Sequence, residues 1–259
     1  MDLGLKGRKA VLCASSQGLG LACATALARE GAEVWINGRD PGRLAAAQAA
    51  IVAATGAVAH CVAADITTDA GRAALVAACP EADILVNNNA GPPPGSLADW
   101  DHAAWIAALE QNMLAPILLI RAYLPGMRAR RFGRIVNITS AMVKSPRPHM
   151  ALSTAARTGL TAFSKSVSIE AAADNVTINN LLPERIDTPR QAFMAERMMR
   201  LHGIDRAEAR RRIAETVAAK RFGRPEEFAD ACAFLCAAQA GFISGQNLQL
   251  DGGSYPGLI

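Results

Sequence analysis

The chain runs Ala10-Val11-Leu12-Cys13-Ala14-Ser15-Ser16-Gln17-Gly18-Leu19-Gly20 close to its start, and this stretch decides the fold. It opens with a short apolar run, Ala10–Ala14, which predicts a buried strand. An amphipathic segment, Leu19–Glu30, comes next and predicts a helix. Between the two, Gly18 and Gly20 permit a tight turn and a close approach of the backbone to a ligand.

This strand–turn–helix arrangement indicates a binding site for a diphosphate. The first N–H groups of a helix lack partners within the helix, and the helix dipole places positive charge at the same end. A dinucleotide's pyrophosphate is bound in this way. A plain strand–helix turn with two glycines remains the alternative. The predicted contacts come from Ser15, Ser16, Gln17, Gly18, Leu19 and Gly20.

Short apolar runs alternate with amphipathic stretches along the rest of the chain. This alternation indicates parallel strands joined by right-handed crossovers. We therefore expect an α/β protein with a three-layer, doubly wound Rossmann fold and a seven-stranded parallel sheet, in a single domain over residues 1–259. The predicted strands are Ala10–Ala14, Glu33–Asn37, Val58–Ala63, Asp83–Asn87, Arg134–Ile138, Val176–Leu182 and Gln246–Leu250. The predicted helices are Leu19–Glu30, Pro41–Thr55, Asp69–Cys79, His102–Met127, Ala151–Ala173 and Pro225–Ala238.

Composition narrows the class of protein. The net charge of +4 is mild and does not call for nucleic acid as a partner. The six cysteines form no CxxC pair, which favours buried thiols in a reducing compartment over disulfides or a metal site. We see no signal-peptide pattern and no uninterrupted apolar stretch of membrane-spanning length. A soluble cytoplasmic protein, with neither membrane nor nucleic acid as partner, is expected.

The second predicted strand ends in Asn37-Gly38-Arg39-Asp40, which bears on the choice of dinucleotide. An acidic residue at this strand tip binds the ribose hydroxyls of NAD, whereas an arginine just beyond it favours the 2′-phosphate of NADP. Arg39 therefore points to NADP(H), and Asp40 keeps NAD as the alternative. Arg39 as an ordinary solvated side chain is the other interpretation.

The C-terminal third carries the most specific motifs. They are Phe222-Gly223-Arg224-Pro225-Glu226-Glu227, Phe234-Leu235, Ile243-Ser244-Gly245-Gln246 and Asp251-Gly252-Gly253. With the glycine turn, these residues resemble the short-chain dehydrogenase/reductase family, and in particular its bacterial β-ketoacyl-ACP reductase-like members. The resemblance covers essentially the whole chain.

The resemblance implies further site residues and an assembly. Asp65 and Ile66 correspond to the contacts with adenine, and the run Asn87-Asn88-Asn89-Ala90-Gly91 resembles the NNAG element with one asparagine too many. Asn112 matches the asparagine of the fourth helix, and Ser140 the serine that orients the substrate carbonyl. Contacts with the nicotinamide carboxamide are expected from Pro183, Ile186 and Thr188. The family also implies a homotetramer.

The family's catalytic tyrosine and lysine, spaced YxxxK, are missing. Gly159-Leu160 fixes the register and places Met150 at the tyrosine position and Thr154 at the lysine position. Methionine has no proton to donate and threonine has no cation. The usual Thr-Gly is Cys13-Ala14, and the usual glycine after Pro183 is Glu184. The segment between Ser140 and the following helix is also shorter than usual, so the chain resembles a divergent branch.

Three residues are candidates to replace the missing pair. Lys144 lies on the loop after Ser140, and its ammonium could donate a proton to the developing alkoxide. His149 precedes the tyrosine position and titrates in the useful pH range. Arg157 follows Thr154 by three residues, and its guanidinium could fill the vacated lysine space and hold the ribose. Each also fits a structural or solvated role. We take Ser140, Asn112 and Lys144 as the predicted catalytic set.

The substrate side is predicted from two segments. The loop Gly91–Gly95 should border the cleft at the carboxyl ends of the strands, and residues 188–222 should form an inserted lid of one or two helices. The lid arginines could attract an acidic or phosphopantetheine-bearing substrate, although a solvated helix face is favoured; they are Arg197, Arg200, Arg210, Arg211 and Arg212. Met194, Met198 and Met199 are expected to pack, with substrate contact as the minority interpretation.

Three functions follow from these residues. The first is an NADP(H)-dependent oxidoreductase acting on a carbonyl or alcohol, such as a 3-oxoacyl-like compound, with an atypical active site. The second is a non-catalytic protein that binds or senses a dinucleotide, which Met150 and Thr154 favour. The third is a lyase or epimerase that keeps its cofactor bound, for which no residue speaks directly.

Overall fold

The computed structural model describes residues 1–258, and its centre is one sheet of seven parallel strands. The strand order is β3-β2-β1-β4-β5-β6-β7. The strands are β1 (Lys9–Leu12), β2 (Glu33–Gly38), β3 (Ala59–Ala63), β4 (Ile84–Asn87), β5 (Gly133–Ile138), β6 (Val176–Pro183) and β7 (Asn247–Leu250). The predicted fold class and all seven predicted strands are confirmed, with ends that shift by one residue in most cases.

Nine α-helices are described within residues 1–258. They are α1 (Gly18–Arg29), α2 (Pro41–Thr55), α3 (Asp69–Ala78), α4 (His102–Leu109), α5 (Ala115–Ala129), α6 (Ala151–Ala171), α7 (Pro189–His202), α8 (Arg206–Glu215) and α9 (Pro225–Cys236). The expectation of one or two helices in residues 188–222 is met by α7 and α8. Asp40, Thr68, Asp101 and Asp205 cap the starts of α2, α3, α4 and α8 through side-chain acceptors.

The predicted continuous helix His102–Met127 is two α-helices joined by a π-helical turn, Glu110–Leu114. Such turns insert one extra residue into a helix and often occur at functional sites. By length and composition alone, the whole stretch His102–Ala129 is long and apolar enough to cross a bilayer. Helices that pack on the sheet of a water-soluble protein pass the same test, and α5 packs on this sheet through Leu119, Ile120 and Met127.

Both faces of the sheet are covered by apolar side chains. One core joins α1, α2 and α9 to the sheet, with Leu27, Ile36 and Phe228 fully buried. The other lies beneath α3, α5 and α6. A small separate cluster, Ala195, Ala209 and Ile213, joins α7 to α8 and is flanked by the three lid methionines. All three methionines pack as expected, and Met194 also lines the cleft described below.

The topology fixes where a ligand can bind. The chain winds outward from β1 to β3 on one side and from β4 to β7 on the other. The loops after β1 and β4 therefore leave the sheet in opposite directions and open a crevice at the carboxyl ends of the strands.

Candidate functional site

A cleft of about 890 Å³ occupies this crevice. Its walls are the turn after β1, the loops after β2, β3 and β4, the loop between β5 and α6, and the segment from β6 into α7. Most of the predicted binding residues line it, namely Ser16, Gln17, Gly18, Leu19, Arg39, Asp65, Ile66, Asn88, Asn89, Ala90, Ser140, Pro183, Ile186 and Thr188. Ser15, Gly20, Asn112 and Lys144 lie outside this lining.

The glycine turn leaves the start of α1 open to the cleft. Gly18 has a φ of +59°, which L side chains rarely adopt. At Gly20 a Cβ would lie 2.5 Å from the Ala14 carbonyl oxygen and 2.8 Å from Ser15 Cα, so only glycine lets the helix start this close to the strand end. The N-cap, Gln17, makes no side-chain capping bond. The first N–H groups of α1 therefore remain available to an anion.

Ser15 and Asn37 hold this turn in place from below. The Ser15 amide donates to the Asn37 carbonyl at 2.8 Å, and the Asn37 amide donates to Ser15 Oγ at 3.0 Å. The Asn37 side chain also donates to the carbonyls of Val62 and Ala64, both at 3.0 Å. The sequence showed Asn37 only as a neutral strand tip, whereas the fold uses it to lock the ends of β1, β2 and β3 together.

Ala14 occupies the family's glycine position in a strained conformation. Its φ of +44° lies in the left-handed region, where a Cβ crowds the following carbonyl. His149 and Arg185, at φ of +65° and +53°, are strained in the same way and also line the cleft. Strain of this kind concentrates where a site fixes its loops.

Ala14→Gly is therefore expected to raise the free energy of unfolding by about 1 kcal/mol. For a chain of this size the melting temperature would rise by roughly 2–4 °C. Thermal unfolding followed by circular dichroism measures it, with Ala45→Gly on the exposed face of α2 as the matched control. That control should lower stability by about 1 kcal/mol, and a loss in both variants would contradict the strain at Ala14.

Asp40 is the N-cap of α2, and the preceding residue, Arg39, is exposed and lines the cleft. The Asp40 carboxylate accepts hydrogen bonds from the amides of Gly42 at 2.9 Å and Arg43 at 3.1 Å. It also lies 3.5 Å from Arg43 Nε. One carboxylate oxygen of Asp40 is thus used at the start of α2, and the other lies near Arg43, which weakens the argument for NAD.

Asp65 is fixed by the turn that begins α3. It accepts from the amide and hydroxyl of Thr67 at 3.0 and 2.8 Å, and these bonds lower the pKa of its carboxyl. A Cβ on Gly71 would lie 1.9 Å from the Asp65 carbonyl oxygen. Gly71 therefore allows α3 to begin against this turn. No sequence motif predicted this role for Gly71.

The three consecutive asparagines have different hydrogen-bond partners. Asn87 ends β4 and donates to Asn137 Oδ1 at 2.8 Å inside the sheet. Asn88 donates to the Ala14 carbonyl at 3.0 Å and so supports the glycine turn. Asn89 donates to the Gln111 carbonyl at 3.1 Å, which ties the loop to the π-helical turn. Asn87 thus belongs to the sheet, whereas Asn88 and Asn89 lie in the loop and line the cleft.

Asn112 lies inside that π-helical turn and not on the cleft surface. It is buried, and its side chain donates to the Ala108 carbonyl at 3.4 Å. Helix α6 packs closely against the same turn, because a Cβ on Gly159 would lie 2.5 Å from Met113 Sδ. Asn112 is therefore not part of the cleft lining.

Ser140 and Met150 line the wall formed by the β5–α6 loop and α6, whereas Thr154 lies on α6 outside the cleft lining. Ser140 Oγ lines the cleft and accepts from the Met142 amide at 3.2 Å. Met150 is the N-cap of α6 and lines the cleft without a side-chain capping bond. Thr154 Oγ1 is buried and has no hydrogen-bond partner among residues 1–258. The tyrosine and lysine positions therefore hold no proton donor and no cation.

The three replacement candidates occupy different places. Lys144 lies outside the cleft lining, with its ammonium 5.5 Å from the centroid of the Tyr255 ring. His149 lines the cleft from an exposed loop. Arg157 lines it from α6, is only 8% exposed, and donates to Ser153 Oγ. Only His149 and Arg157 of the three are brought to the cleft.

The segment after β6 brings a buried carboxylate, that of Glu184, to the cleft wall. Glu184 Oε1 lies 3.1 Å from Arg185 Nε and 3.4 Å from Arg147 Nη1. Ile186 pairs with Gly223 in a short parallel bridge, and a Cβ on Gly223 would lie 2.5 Å from Ile186 Cδ1. This contact gives a structural reason for the Phe222-Gly223-Arg224-Pro225 motif.

Most lid arginines are engaged at the surface. Arg210 pairs with Asp187 at 2.7 Å, and Arg211 and Arg212 pair with Glu208 at 2.8 and 2.6 Å. Arg200 is exposed and does not line the cleft. Of the five lid arginines named from the sequence, only Arg197 lines it. The favoured interpretation, a solvated helix face, fits the other four.

Comparisons with known proteins agree with this geometry. Residues 13–255 match the family described as Enoyl-(Acyl carrier protein) reductase. The NADPH-dependent reductase BacG of Bacillus subtilis (strain 168) is 31% identical over 256 residues, covering 97% of this chain and 99% of that protein.

Two solved structures are similar over nearly the full length. L-sorbose reductase from Gluconobacter frateurii, complexed with NADPH and L-sorbose, has a TM-score of 0.94 and 32% identity, covering 100% of both chains. A 3-oxoacyl (acyl-carrier-protein) reductase from Agrobacterium tumefaciens C58 with NADP bound has a TM-score of 0.88 and 31% identity, covering 97% of this chain and 96% of the other. With the fold, the glycine turn and the C-terminal motifs, these matches show that the chain belongs to the short-chain dehydrogenase/reductase family.

Proposed function

We propose that the protein is an NADPH-dependent oxidoreductase that acts on a carbonyl or alcohol substrate. The observation that carries the proposal is the uncapped start of α1, which opens into the cleft through the Gly18–Gly20 turn. The similar reductases described above are named with NADPH or NADP, and they support the same coenzyme here.

The residues present fit a nicotinamide dinucleotide. The N–H groups of α1 would hold the diphosphate, and Arg39 would hold the 2′-phosphate. Asp65 and Ile66 would contact the adenine, Asn88 to Ala90 the neighbouring ribose region, and Pro183, Ile186 and Thr188 the carboxamide. When bound, the coenzyme supplies or accepts a hydride. NAD remains the alternative coenzyme because Arg39 is exposed.

The proton side of the reaction depends on the chain's own residues. The Ser140 hydroxyl can donate a hydrogen bond to the substrate oxygen, since it lies on the cleft wall. Asn112 is buried outside the cleft lining, so any contribution it makes to the reaction is indirect. Lys144 stays a prediction, and its side chain must leave Tyr255 to reach the cleft. His149 directly precedes Met150, which occupies the family's tyrosine position.

A non-catalytic dinucleotide-binding protein is the second candidate. It is favoured by Met150 and by Thr154, whose hydroxyl is buried without a partner among residues 1–258. Consumption of NADPH with any ketone, at a rate that rises with protein concentration, would exclude it.

Arg39→Gln provides the test of the coenzyme. NADPH is expected to protect the natural chain against thermal unfolding more than NADH does. Losing one charge-assisted bond to the 2′-phosphate should weaken NADPH binding about 10- to 100-fold and leave NADH binding unchanged. Arg200→Gln, an exposed lid arginine, is the control.

Titration of the melting temperature with each coenzyme measures both affinities. Equal loss of NADPH and NADH binding in Arg39→Gln would contradict the 2′-phosphate contact. No protection by either coenzyme at millimolar concentration would contradict the proposed function as a whole.

We also propose that the protein is a cytoplasmic homotetramer, with residues 188–222 acting as a lid over the cleft. Exposed apolar side chains on α4, the π-helical turn and α6 support an assembly, and they are Ile106, Leu114 and Ile169. The six free cysteines are consistent with a reducing compartment. Sedimentation equilibrium measures the oligomeric state.

A further inference from the structure

The substrate end of the cleft holds an excess of positive charge. Five arginines line the part built by the β5–α6 loop, α6 and the segment from β6 into α7, and they are Arg147, Arg157, Arg185, Arg190 and Arg197. One carboxylate, Glu184, faces them, and it is shared by Arg147 and Arg185. Among residues 1–258, the other three arginines have no carboxylate within 4.0 Å.

Arg157 is the most deeply placed of these cations. It is 8% exposed, and its guanidinium donates to Ser153 Oγ and, at 3.5 Å, to the Asn89 carbonyl. Gly91 leaves room for it, because a Cβ there would lie 3.3 Å from Nη1. Both acceptors are neutral. A buried charge that meets only neutral partners is costly unless an anion completes the site.

Arg190 brings a second cation to the same part of the cleft. Its Nη2 donates to the Pro92 carbonyl at 3.2 Å, and its guanidinium lies 5.4 Å from the centroid of the Phe193 ring. Burial, and secondarily repulsion by Arg190, lower the pKa of Arg157 to about 10. Both side chains remain charged at neutral pH, so the two guanidinium groups repel each other in the absence of an anion.

We propose that a carboxylate of the substrate completes the Arg157–Arg190 pair, so that the protein acts on oxo acids or the corresponding hydroxy acids. This inference rests on the proposed function. A guanidinium presents a planar fork of donors that matches a carboxylate in two parallel hydrogen bonds. The family's lysine binds the nicotinamide ribose, so the ribose hydroxyls are the alternative partners of Arg157. They are neutral and supply no charge to offset the two cations.

The position of Arg157 limits the distance between the two ends of the substrate. Its guanidinium contacts Ser153, which lies about one helical turn, or roughly 5 Å, from Met150 at the reacting end of the wall. A short spacer between carbonyl and carboxylate fits that interval. The class is therefore a small 2-, 3- or 4-oxo acid.

The test compares each acid with its neutral ester. The pairs are pyruvate and methyl pyruvate, acetoacetate and methyl acetoacetate, and levulinate and methyl levulinate. Isothermal titration is run on the chain alone and with saturating NADP⁺, which allows binding of the oxo compounds without turnover. At least one acid should bind about tenfold or more tightly than its ester. Arg157→Met should remove the preference for the acid. Arg157→Lys should retain part of it. The surface control Arg200→Met should retain all of it.

Each other outcome has a definite meaning. Equal binding of acid and ester in all three pairs overturns the inference, as does an acid preference that survives in Arg157→Met. If Arg157→Met weakens NADP⁺ binding and leaves the acid preference intact, the anion is a coenzyme phosphate and the inference is also wrong. An acid preference in a chain that binds no nicotinamide coenzyme contradicts only the proposed function. If Arg157→Met does not fold, the acid preference of the natural chain is compared with that of Arg157→Lys. An undiminished preference in Arg157→Lys then contradicts the inference.

Discussion

The triple variant Met150→Tyr/Thr154→Lys/Arg157→Val is expected to reduce a neutral ketone with NADPH on the order of a hundred- to ten-thousandfold faster than the natural chain. A positioned general acid contributes a factor of this size. Tyrosine at 150 would place a phenolic proton on the wall that already carries Ser140. Lysine at 154 would place a cation beside it, which lowers the phenol pKa toward the working pH.

Arg157 must be changed together with the other two residues. It follows Thr154 by three positions on α6 and therefore lies on the same face of the helix. Its guanidinium and a new ammonium would repel each other in a buried site. Thr154 Oγ1 has no hydrogen-bond partner among residues 1–258, so its replacement breaks no bond.

A matched variant separates the proton donor from the rest of the redesign. Met150→Phe/Thr154→Lys/Arg157→Val has the same shape without the hydroxyl, and it should show no gain in kcat/KM for the ketone. A neutral ketone such as cyclohexanone avoids any dependence on Arg157 as a carboxylate receptor. If the phenylalanine and tyrosine variants gain equally, or neither gains, then the cleft is not arranged for proton transfer at position 150.

The fold was predictable from sequence because its signals are local and repeated. Each strand is a short apolar run, and every helix start except those of α1 and α6 carries a capping residue or a proline, so the element order and the sheet followed directly. The π-helical turn at Glu110–Leu114 was missed. No local pattern marks this turn, and its contacts come from distant segments: Asn89 donates to the Gln111 carbonyl, and Gly159 lies against Met113.

The sequence predicted those site residues whose type is required by the backbone geometry. It did not predict which charged side chains pair with each other. Gly18 and Gly20 mark their turn, because Gly18 has a φ that L side chains rarely adopt and a Cβ at Gly20 would lie 2.5 Å from the Ala14 carbonyl oxygen. The arginines on α8 form surface ion pairs, as the favoured interpretation of the sequence expected, whereas the place of Arg190 on the cleft wall was not predicted. Which arginine finds a carboxylate depends on contacts between segments far apart in the chain, such as Glu184 with Arg147.

Gly20→Ala is expected to weaken NADPH binding at least about a hundredfold and to destabilise the fold. The new Cβ would lie 2.5 Å from the Ala14 carbonyl oxygen and 2.8 Å from Ser15 Cα, and neither backbone atom can rotate away. The start of α1 must therefore move off the end of β1. Each hydrogen bond to a charged phosphate oxygen contributes about 1.5–3 kcal/mol, so the loss of two such bonds accounts for the hundredfold change.

Gly126→Ala in α5 is the matched control for this steric effect. Its Cβ would meet only Arg130 Nη1 at 3.1 Å, the far end of a flexible side chain, and it lies away from the cleft lining. The control should bind NADPH like the natural chain and, as a glycine-to-alanine change within a helix, gain stability. Calorimetric titration at a temperature where both variants are folded measures the affinities. If Gly20→Ala folds and binds NADPH with unchanged affinity, the diphosphate does not rest against the start of α1, and the proposed coenzyme site must lie elsewhere in the cleft.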